Sequence, residues 1–384
     1  MRMTVKACLL LAAALTPLSL PAQDEWSTFH GDSGLTGSTR TQLPATLSRA
    51  WRVKVPAGVT RTPVGGGGMI VCVTQDSELI GLTVGGALTW SNMVETGKGP
   101  DGKPSYAEFM APPILVGGLA VIGSTDGDLF AFNAATGAQK WKYSLGTRII
   151  GSANWGRDGT NGLRITAISQ PDGAVHCVNA AGDRVWVSDP AARCDGCAAV
   201  DSGRIVFGSC ASAFHVFGLS DGTAGDSVPI GADCQVAGGV ALSGDRVYAG
   251  DRCGTLVCAD LREGKVAWTN GDANGELFTT PALSSNRVVF SAADGRIVCV
   301  TRDTGTKVWA FDTGGGRPTA PVVAGDKVLA AASGKLYLLD LKTGTNLWSA
   351  AVSDDISSPA VIGRLVVVGG DDGTITAFGP GAGR

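Results

Sequence analysis

Apolar residues along this chain come in short runs separated by turn residues. Between 287 and 312 the chain reads RVVFSA, ADG, RIVCVTR, DTGT and KVWAFD, which are β-branched and aromatic stretches bounded by Gly and Asp. The pattern recurs at 126 to 141 (DGDLFAFNAATGAQKW), at 333 to 348 (SGKLYLLDLKTGTNLW) and, cut short, at 371 to 379 (DDGTITAFG). No stretch with a helical period competes with it. The unit is therefore predicted to be a set of antiparallel strands joined by Asp-Gly and Thr-Gly turns, where glycine can take positive φ without steric cost.

Trp51, Trp90, Trp141, Trp186, Trp268, Trp309 and Trp348 are spaced by 39, 51, 45, 82, 41 and 39 residues, and the 82 is two periods of 41. A period near 40 built of strands is the mark of a propeller blade. Small-residue connectors open eight units, at 60–64, 111–116, 151–155, 197–200, 236–242, 279–283, 319–323 and 357–361. The fourth unit has GDSVPI where the others have a tryptophan strand. The eighth stops before any outer strand, whereas RAWRVKV at 49 to 55 precedes the first unit with a tryptophan and nothing else of a blade. These ends complete each other. The sequence predicts an all-β, eight-bladed β-propeller of four-stranded antiparallel blades over 49–384, its ring closed by an N-terminal strand so that no open array edge remains. The tryptophans are expected to pack one blade on the next.

Composition agrees with that reading and adds an address. The 384 residues include 56 glycines, and only 17% are charged. Residues 1–22 hold Arg2, Lys6, an apolar run from Ala7 to Leu15 and a small residue at Ala22, as in an export signal; 23–48 are then an N-terminal extension. Cys8 stands at the start of the apolar run and not after it, so a lipid-bearing cysteine is not expected, and the run is too short to span a bilayer. A periplasmic or secreted monomer without a transmembrane segment is the expectation. The formal charge of −3 and the lack of a long basic run argue against nucleic acid as partner.

At WSTFHGDSGLTG (26 to 37), and again at DGDLFAFNAATGAQKW, the chain resembles the pyrroloquinoline-quinone-type propeller repeat family, with one residue fewer than the usual spacing between Asp32 and Thr36. The resemblance covers essentially the whole mature chain. It implies one of two lines: quinone-dependent dehydrogenases, or cofactor-free propellers such as an outer-membrane assembly lipoprotein. The dehydrogenases hold pyrroloquinoline quinone on the axis with Ca²⁺, an Asp base and an adjacent Cys-Cys disulfide. No Cys-Cys dipeptide occurs here, and only SNMVETGKGPDGKPSYAEFM (91 to 110) is an extended connector. Glu108, Asp195, Glu276, Asp354 and Asp355, with Arg61, Arg148 and Arg317, are the charged residues placed to face the axis. No nucleophile elbow, phosphate loop or zinc helix is present. His30, His176 and His215 lie in unrelated contexts, the last two within strands. A non-catalytic scaffold without cofactor, binding a protein or other envelope macromolecule, is the expected function; the quinone dehydrogenase is the alternative.

Cysteine use raises a third reading. The chain has ten, nine once Cys8 is removed, so at least one stays unpaired within it. Strand alternation puts the connector into a blade's inner strand and the turn between its second and third strands on one face. That gathers Cys194 and Cys197 (ARCDGCAAV), Cys210 (FGSCAS), Cys234 (ADCQVAG) and Cys253 (GDRCGT) on one rim of blades four and five. In an oxidising compartment two disulfides with one thiol left over are expected, stapling the blade that lacks its tryptophan. The C-x-x-C spacing of Cys194 and Cys197 equally suits a soft metal or dithiol redox work. Cys177, Cys258 and Cys299 fall at one third-strand position and Cys72 in a second strand, as packing residues.

Overall fold

A computed structural model describes residues 25–201, 203–231 and 233–381. The export segment at 1–22 lies outside them. Eight blades each hold four antiparallel strands; in the seventh, Ser38–Thr39 adds a fifth strand, parallel to Val322–Ala324, and Glu95–Lys98 pairs with Pro104–Tyr106 as a separate two-stranded sheet, while no helix occurs among the described residues. Blade one is formed by Val64–Gly66, Met69–Val73, Leu79–Thr83 and Leu88–Asn92, from the axis outward, and the later blades repeat this order. In blade eight Ala360–Ile362, Leu365–Gly369 and Thr374–Gly379 supply the inner three strands, and Ser48–Lys54 supplies the fourth. That N-terminal strand pairs antiparallel with Thr374–Gly379, placing Trp51 opposite Ala377. The ring is closed by chain ends, as the sequence predicted.

Trp51 thereby takes the register that every other blade gives its tryptophan. Trp141 faces Ala131, Trp268 faces Cys258, Trp309 faces Cys299 and Trp348 faces Leu338, each beside a bulge. The three cysteines at this third-strand position, together with Cys72, are buried. Burial pushes the thiols of Cys72, Cys177 and Cys299 up to about 12, so they are protonated packing groups at neutral pH.

The tryptophans also explain the Thr-Gly turns. Six of the seven repeat indole N–H groups reach across to the next blade and donate to a carbonyl of its third-to-fourth-strand turn: Trp51 to Val84 (3.0 Å), Trp90 to Ala134 (3.0 Å), Trp141 to Ala180 (3.0 Å), Trp186 to Leu219 (3.1 Å), Trp268 to Arg302 (3.0 Å) and Trp309 to Leu341 (2.9 Å), while Trp348 meets the Phe378 ring edge-on. The turn's glycine lies flat under the ring. At Gly344 a Cβ would come within 2.6 Å of the Trp309 indole. Blade four, with only Val228–Pro229 as its outer strand, sends no indole to blade five, and the matching Gly264 has nothing within 4 Å of a Cβ.

Residues 26–41, the extension before the closing strand, circle the axial channel. Carbonyls of this segment accept the inner-strand amides of Gly65 (from Trp26), Leu115 (from Ser27), Val200 (from Ser33), Leu242 (from Gly34), Leu283 (from Thr36) and Val323 (from Gly37), at 2.7 to 2.8 Å. Blade three joins through Asn154 Nδ2 to the Ser33 carbonyl at 2.7 Å, and blade eight through Thr41 Oγ1 to the Gly363 carbonyl at 3.0 Å. The motif WSTFHGDSGLTG is thus an axial plug that touches the blades in chain order. Inner strands would otherwise carry unpaired polar groups along the channel. His30, fully buried, faces the carbonyls of Leu35 and Pro321 at 2.9 Å each and ties the loop to blade seven.

Candidate functional site

The plug sits toward the face formed by the hairpins between inner and second strands. The opposite face, made by the connectors and the second-to-third-strand turns, is the one on which the sequence gathered its charged and cysteine residues. Its framework is a backbone stitch found in six blades: the turn's N–H donates to a carbonyl of the same blade's connector, at Gln75 to Gly58, Thr125 to Glu108, Gln170 to Arg148, Cys210 to Arg193, Arg252 to Gln235 and Asp371 to Asp355, all at 2.7 to 3.0 Å. In four of these blades the connector residue that follows bonds back to a carbonyl of the preceding blade's turn: Val59 to Gly370, Ile149 to Ser124, Cys194 to Gln170 and Val236 to Ser209, at 2.8 to 3.2 Å. The side chains at these stitches surround the axis.

Round this mouth the charged residues form local sets. Glu108 accepts from Thr125 Oγ1 at 3.0 Å, and Arg61 donates to the Met110 carbonyl at 3.2 Å while Arg148 reaches the Met110 sulfur at 3.3 Å. Asp195 takes hydrogen bonds from Gln170 at 2.7 Å and Arg193 at 3.0 Å. Burial pushes the Asp195 carboxyl up, but those bonds and the Arg193 charge outweigh it and leave the group below its ordinary value, ionised at neutral pH. Arg252 pairs with Glu276 at 3.0 Å. Both Arg252 and Arg317 stand over the ring of Phe278, at 5.9 and 5.7 Å. Asp355 caps its own stitch, its N–H donating to Asp371 Oδ1 at 3.0 Å, and Asp354 is exposed beside it. Phe278 and Met110 are 38% and 41% exposed, so each is an apolar side chain flanked by guanidiniums on an open surface.

This arrangement does not suit a cation site. The five carboxylates are spread over four blades, with Asp354 and Asp355 adjacent in blade eight, and those that lie deepest are already engaged by protein donors. Among the described residues no group of three His, Cys, Asp or Glu converges as a metal ligand set. A Ca²⁺ that holds a quinone needs several such oxygens together. His176 and His215 are likewise committed elsewhere, to Tyr143 Oη at 3.0 Å, and to Ser209 Oγ at 2.8 Å and Ser227 Oγ at 3.0 Å.

Of the five rim cysteines, Cys234 and Cys253 are joined in a disulfide across the blade-five stitch. Cys194, Cys197 and Cys210 are thiols. Cys194 is buried, Cys197 accepts the Ser152 N–H at 3.2 Å, and Cys210 lies 3.8 Å from Asp195 Oδ2. Sequence reasoning put all five on one face and in two blades; one of the two expected disulfides is formed. What it missed is Phe278 and Met110, whose connector positions carry no periodic signal, and the plug, which works through backbone atoms.

The sequence family described as "Outer membrane protein assembly factor BamB" matches residues 44–224 and 171–380. The outer membrane protein assembly factor BamB of Burkholderia pseudomallei (strain K96243) is 26% identical over 321 residues, 77% of this chain and 77% of that protein. Among solved structures, BamB from Moraxella catarrhalis superposes with a TM-score of 0.68 at 19% identity, over 87% of this chain and 99% of that one. A quinohemoprotein alcohol dehydrogenase from Comamonas testosteroni does so with a TM-score of 0.75 at 14% identity, over 95% and 82%. Identities this low speak for the fold alone, and the enzyme shares it.

Proposed function

From the premise that the chain belongs to the outer membrane protein assembly factor BamB family, we propose that it is a non-catalytic scaffold of the cell envelope, holding a protein partner against its connector face. The observation that carries this reading is the pairing of exposed apolar side chains with arginines around the axial mouth: Met110 between Arg61 and Arg148, and Phe278 between Arg252 and Arg317. Aromatic, Met and Arg side chains are the types enriched where protein interfaces concentrate their energy. The Met110 connector is held by the stitch from Thr125 N–H to the Glu108 carbonyl, and the Phe278 connector by Leu277 N–H to the Asp251 carbonyl at 2.9 Å, so little ordering is lost on binding. The plug occupies the channel from the other side, which leaves this face as the open one. The protein works, in this reading, after export, as a monomer and without a cofactor.

Capture experiments on native envelope extracts test it. Phe278→Ala combined with Arg148→Glu should abolish recovery of an envelope partner that the unaltered chain retains, with the melting temperature kept within a few degrees. Equal recovery by both would remove the connector face from the interface. Incubation with pyrroloquinoline quinone and Ca²⁺ is the second arm: a stoichiometric chromophore with dye-linked alcohol oxidation would replace the scaffold reading by the dehydrogenase one.

A further inference from the structure

The disulfide of blade five marks what its neighbour can do. In blade five the stitch runs from Arg252 N–H to the Gln235 carbonyl at 2.9 Å, and the bonded pair Cys234 and Cys253 are the residues beside its two ends. Blade four has the same stitch at the same length, from Cys210 N–H to the Arg193 carbonyl, and again cysteine stands on both sides of it. Cys194 follows Arg193 in the connector; Cys210 is itself the turn residue. Backbones joined by one such bond lie about 5 Å apart, within the span that a disulfide bridges.

The third thiol is turned elsewhere. Cys197 Sγ faces the connector of blade three through the Ser152 N–H, and a Cβ placed on Gly239 of blade five's connector would lie 3.5 Å from its own Cβ. It is wedged between neighbouring connectors. Both Cys197 and Cys210 are close enough to act on the charge of Cys194, but of the two only Cys210 shares its stitch. Cys210 also borders a solvent-open cavity of about 420 Å³, lined by Ala211, Ser212, Gly231, Asp233 and Gln235. A small molecule can therefore reach one thiol of the pair, while the other is buried at 2% exposure.

We propose that Cys194 and Cys210 form a redox site, which a low-molecular-weight disulfide oxidant converts into a second staple, with Cys197 remaining a thiol. The exposed partner reacts first. Cys210, as thiolate, attacks one sulfur of the oxidant RSSR, forms a mixed disulfide and expels RS⁻, which takes up the proton that Cys210 released. The Cys194 sulfur then attacks Cys210 Sγ and displaces the second RS⁻, which takes the Cys194 proton. Two protein thiols are oxidised and one RSSR becomes two RSH. Burial pushes Cys194 up to about 12, and burial with the Asp195 charge raises Cys210, so the reaction is slow at neutral pH and accelerates as pH rises. Closure fixes the connector that carries Arg193 and Asp195 in the blade that lacks its outer tryptophan. The assignment stands on this geometry and is independent of the docking role proposed above.

The test uses the full chain as purified and after incubation with oxidised glutathione at mildly alkaline pH. Samples are quenched in acid, unfolded, labelled with iodoacetamide, reduced and labelled with N-ethylmaleimide, then mapped by peptide mass spectrometry. Cys194 and Cys210 should pass together from the first label to the second, while Cys197 keeps the first. Cys197→Ser should leave that exchange unchanged, and Cys194→Ser should leave Cys210 carrying glutathione. The proposal is overturned where Cys210 keeps the first label throughout, where Cys194 pairs with Cys197, or where Cys210 is still protected by a protein disulfide in Cys194→Ser. Because the label pattern of the unaltered chain already decides, a variant that fails to fold does not.

Discussion

Two glycines in the same turn, one under a tryptophan and one not, isolate the contribution of blade-to-blade docking. Blade seven reads DLKTG at 340 to 344 and blade five reads DLREG at 260 to 264. In both, the Asp side chain caps two amides of the turn, and the glycine sits at positive φ, +74° at Gly344 and +64° at Gly264. Replacing either by Ala imposes the same left-handed strain, about 1 kcal/mol. Only Gly344 has the Trp309 ring over it, with a Cβ placed 2.6 to 2.9 Å from three ring atoms. The ring is held by its bond to the Leu341 carbonyl and is 8% exposed, so it cannot swing away without opening the interface. Forcing a methyl into that contact adds about 1–3 kcal/mol. Gly344→Ala should thus cost about 2–4 kcal/mol and Gly264→Ala about 1. At about 2.1 cal/mol/K per residue, a chain of about 350 ordered residues loses about 1.4 °C per kcal/mol, giving melting shifts of about 3–6 °C against about 1–2 °C by calorimetry. In a Trp309→Ala background the extra cost of Gly344→Ala should vanish, a non-additivity that the double-mutant cycle reads directly. Equal shifts for the two glycines in the unaltered chain would refute docking as the reason for the Thr-Gly and Trp pairing.

Ring closure and titration give two further expectations. Deleting Ser48–Lys54 removes the outer strand of blade eight and the Trp51 bond to Val84, and should lower stability by about 5 kcal/mol or more, whereas Arg317→Ala, which loses only an exposed stacking contact, should cost about 0.5–1 kcal/mol. Comparable unfolding midpoints for the two proteins would count against closure. Burial lowers the pKa of His30, His176 and His215 from the ordinary 6.5, so the unfolded chain binds protons more readily and stability should fall as pH drops through about 6.5 toward 5, above the range where carboxylates protonate. Denaturant midpoints at pH 7.5 and 5.5 measure it, and His30→Gln should reduce the difference.

Much of the wheel was legible because its signals are side chains at fixed intervals. Tryptophans about forty residues apart gave the repeat period, eight small-residue connectors gave the blade count, the gap at blade four gave the irregular sheet, and RAWRVKV gave the closing strand to within a residue. Cys177, Cys258 and Cys299 were placed by the same register logic, and the structure sets each opposite a tryptophan. The receptor for those tryptophans was not legible, since a glycine under an indole and a glycine in an empty turn are written alike. The mouth was half legible: strand alternation put the five rim cysteines on one face, and Glu108, Asp195, Arg148 and Arg317 were expected to face the axis, whereas nothing indicated that Phe278 would lie between guanidiniums of two blades.

The plug was the least legible part, and its energetics make it the most informative to remove. Nothing in residues 26–41 is periodic, because a segment that visits eight sheets in turn meets a new partner every two or three residues. What it offers is carbonyls, and small residues let the backbone pass close to each inner strand. The amide N–H groups of Leu115, Val200, Leu242, Leu283 and Val323 each donate to a plug carbonyl, on the side of the inner strand turned away from its ladder. Truncation up to residue 42, which keeps the closing strand, would leave these donors to water in an opened channel. Amide exchange at the five positions should then rise by orders of magnitude, while neighbouring second-strand amides such as those of Val121 and Val206 stay protected by their own sheets. Unchanged exchange at the inner strands would mean that the blades close the axis themselves and that the segment only lies upon them. A rise confined to the inner strands would show the fold to be held twice over, at its rim by strand exchange between the chain ends and at its centre by a single thread through all eight sheets.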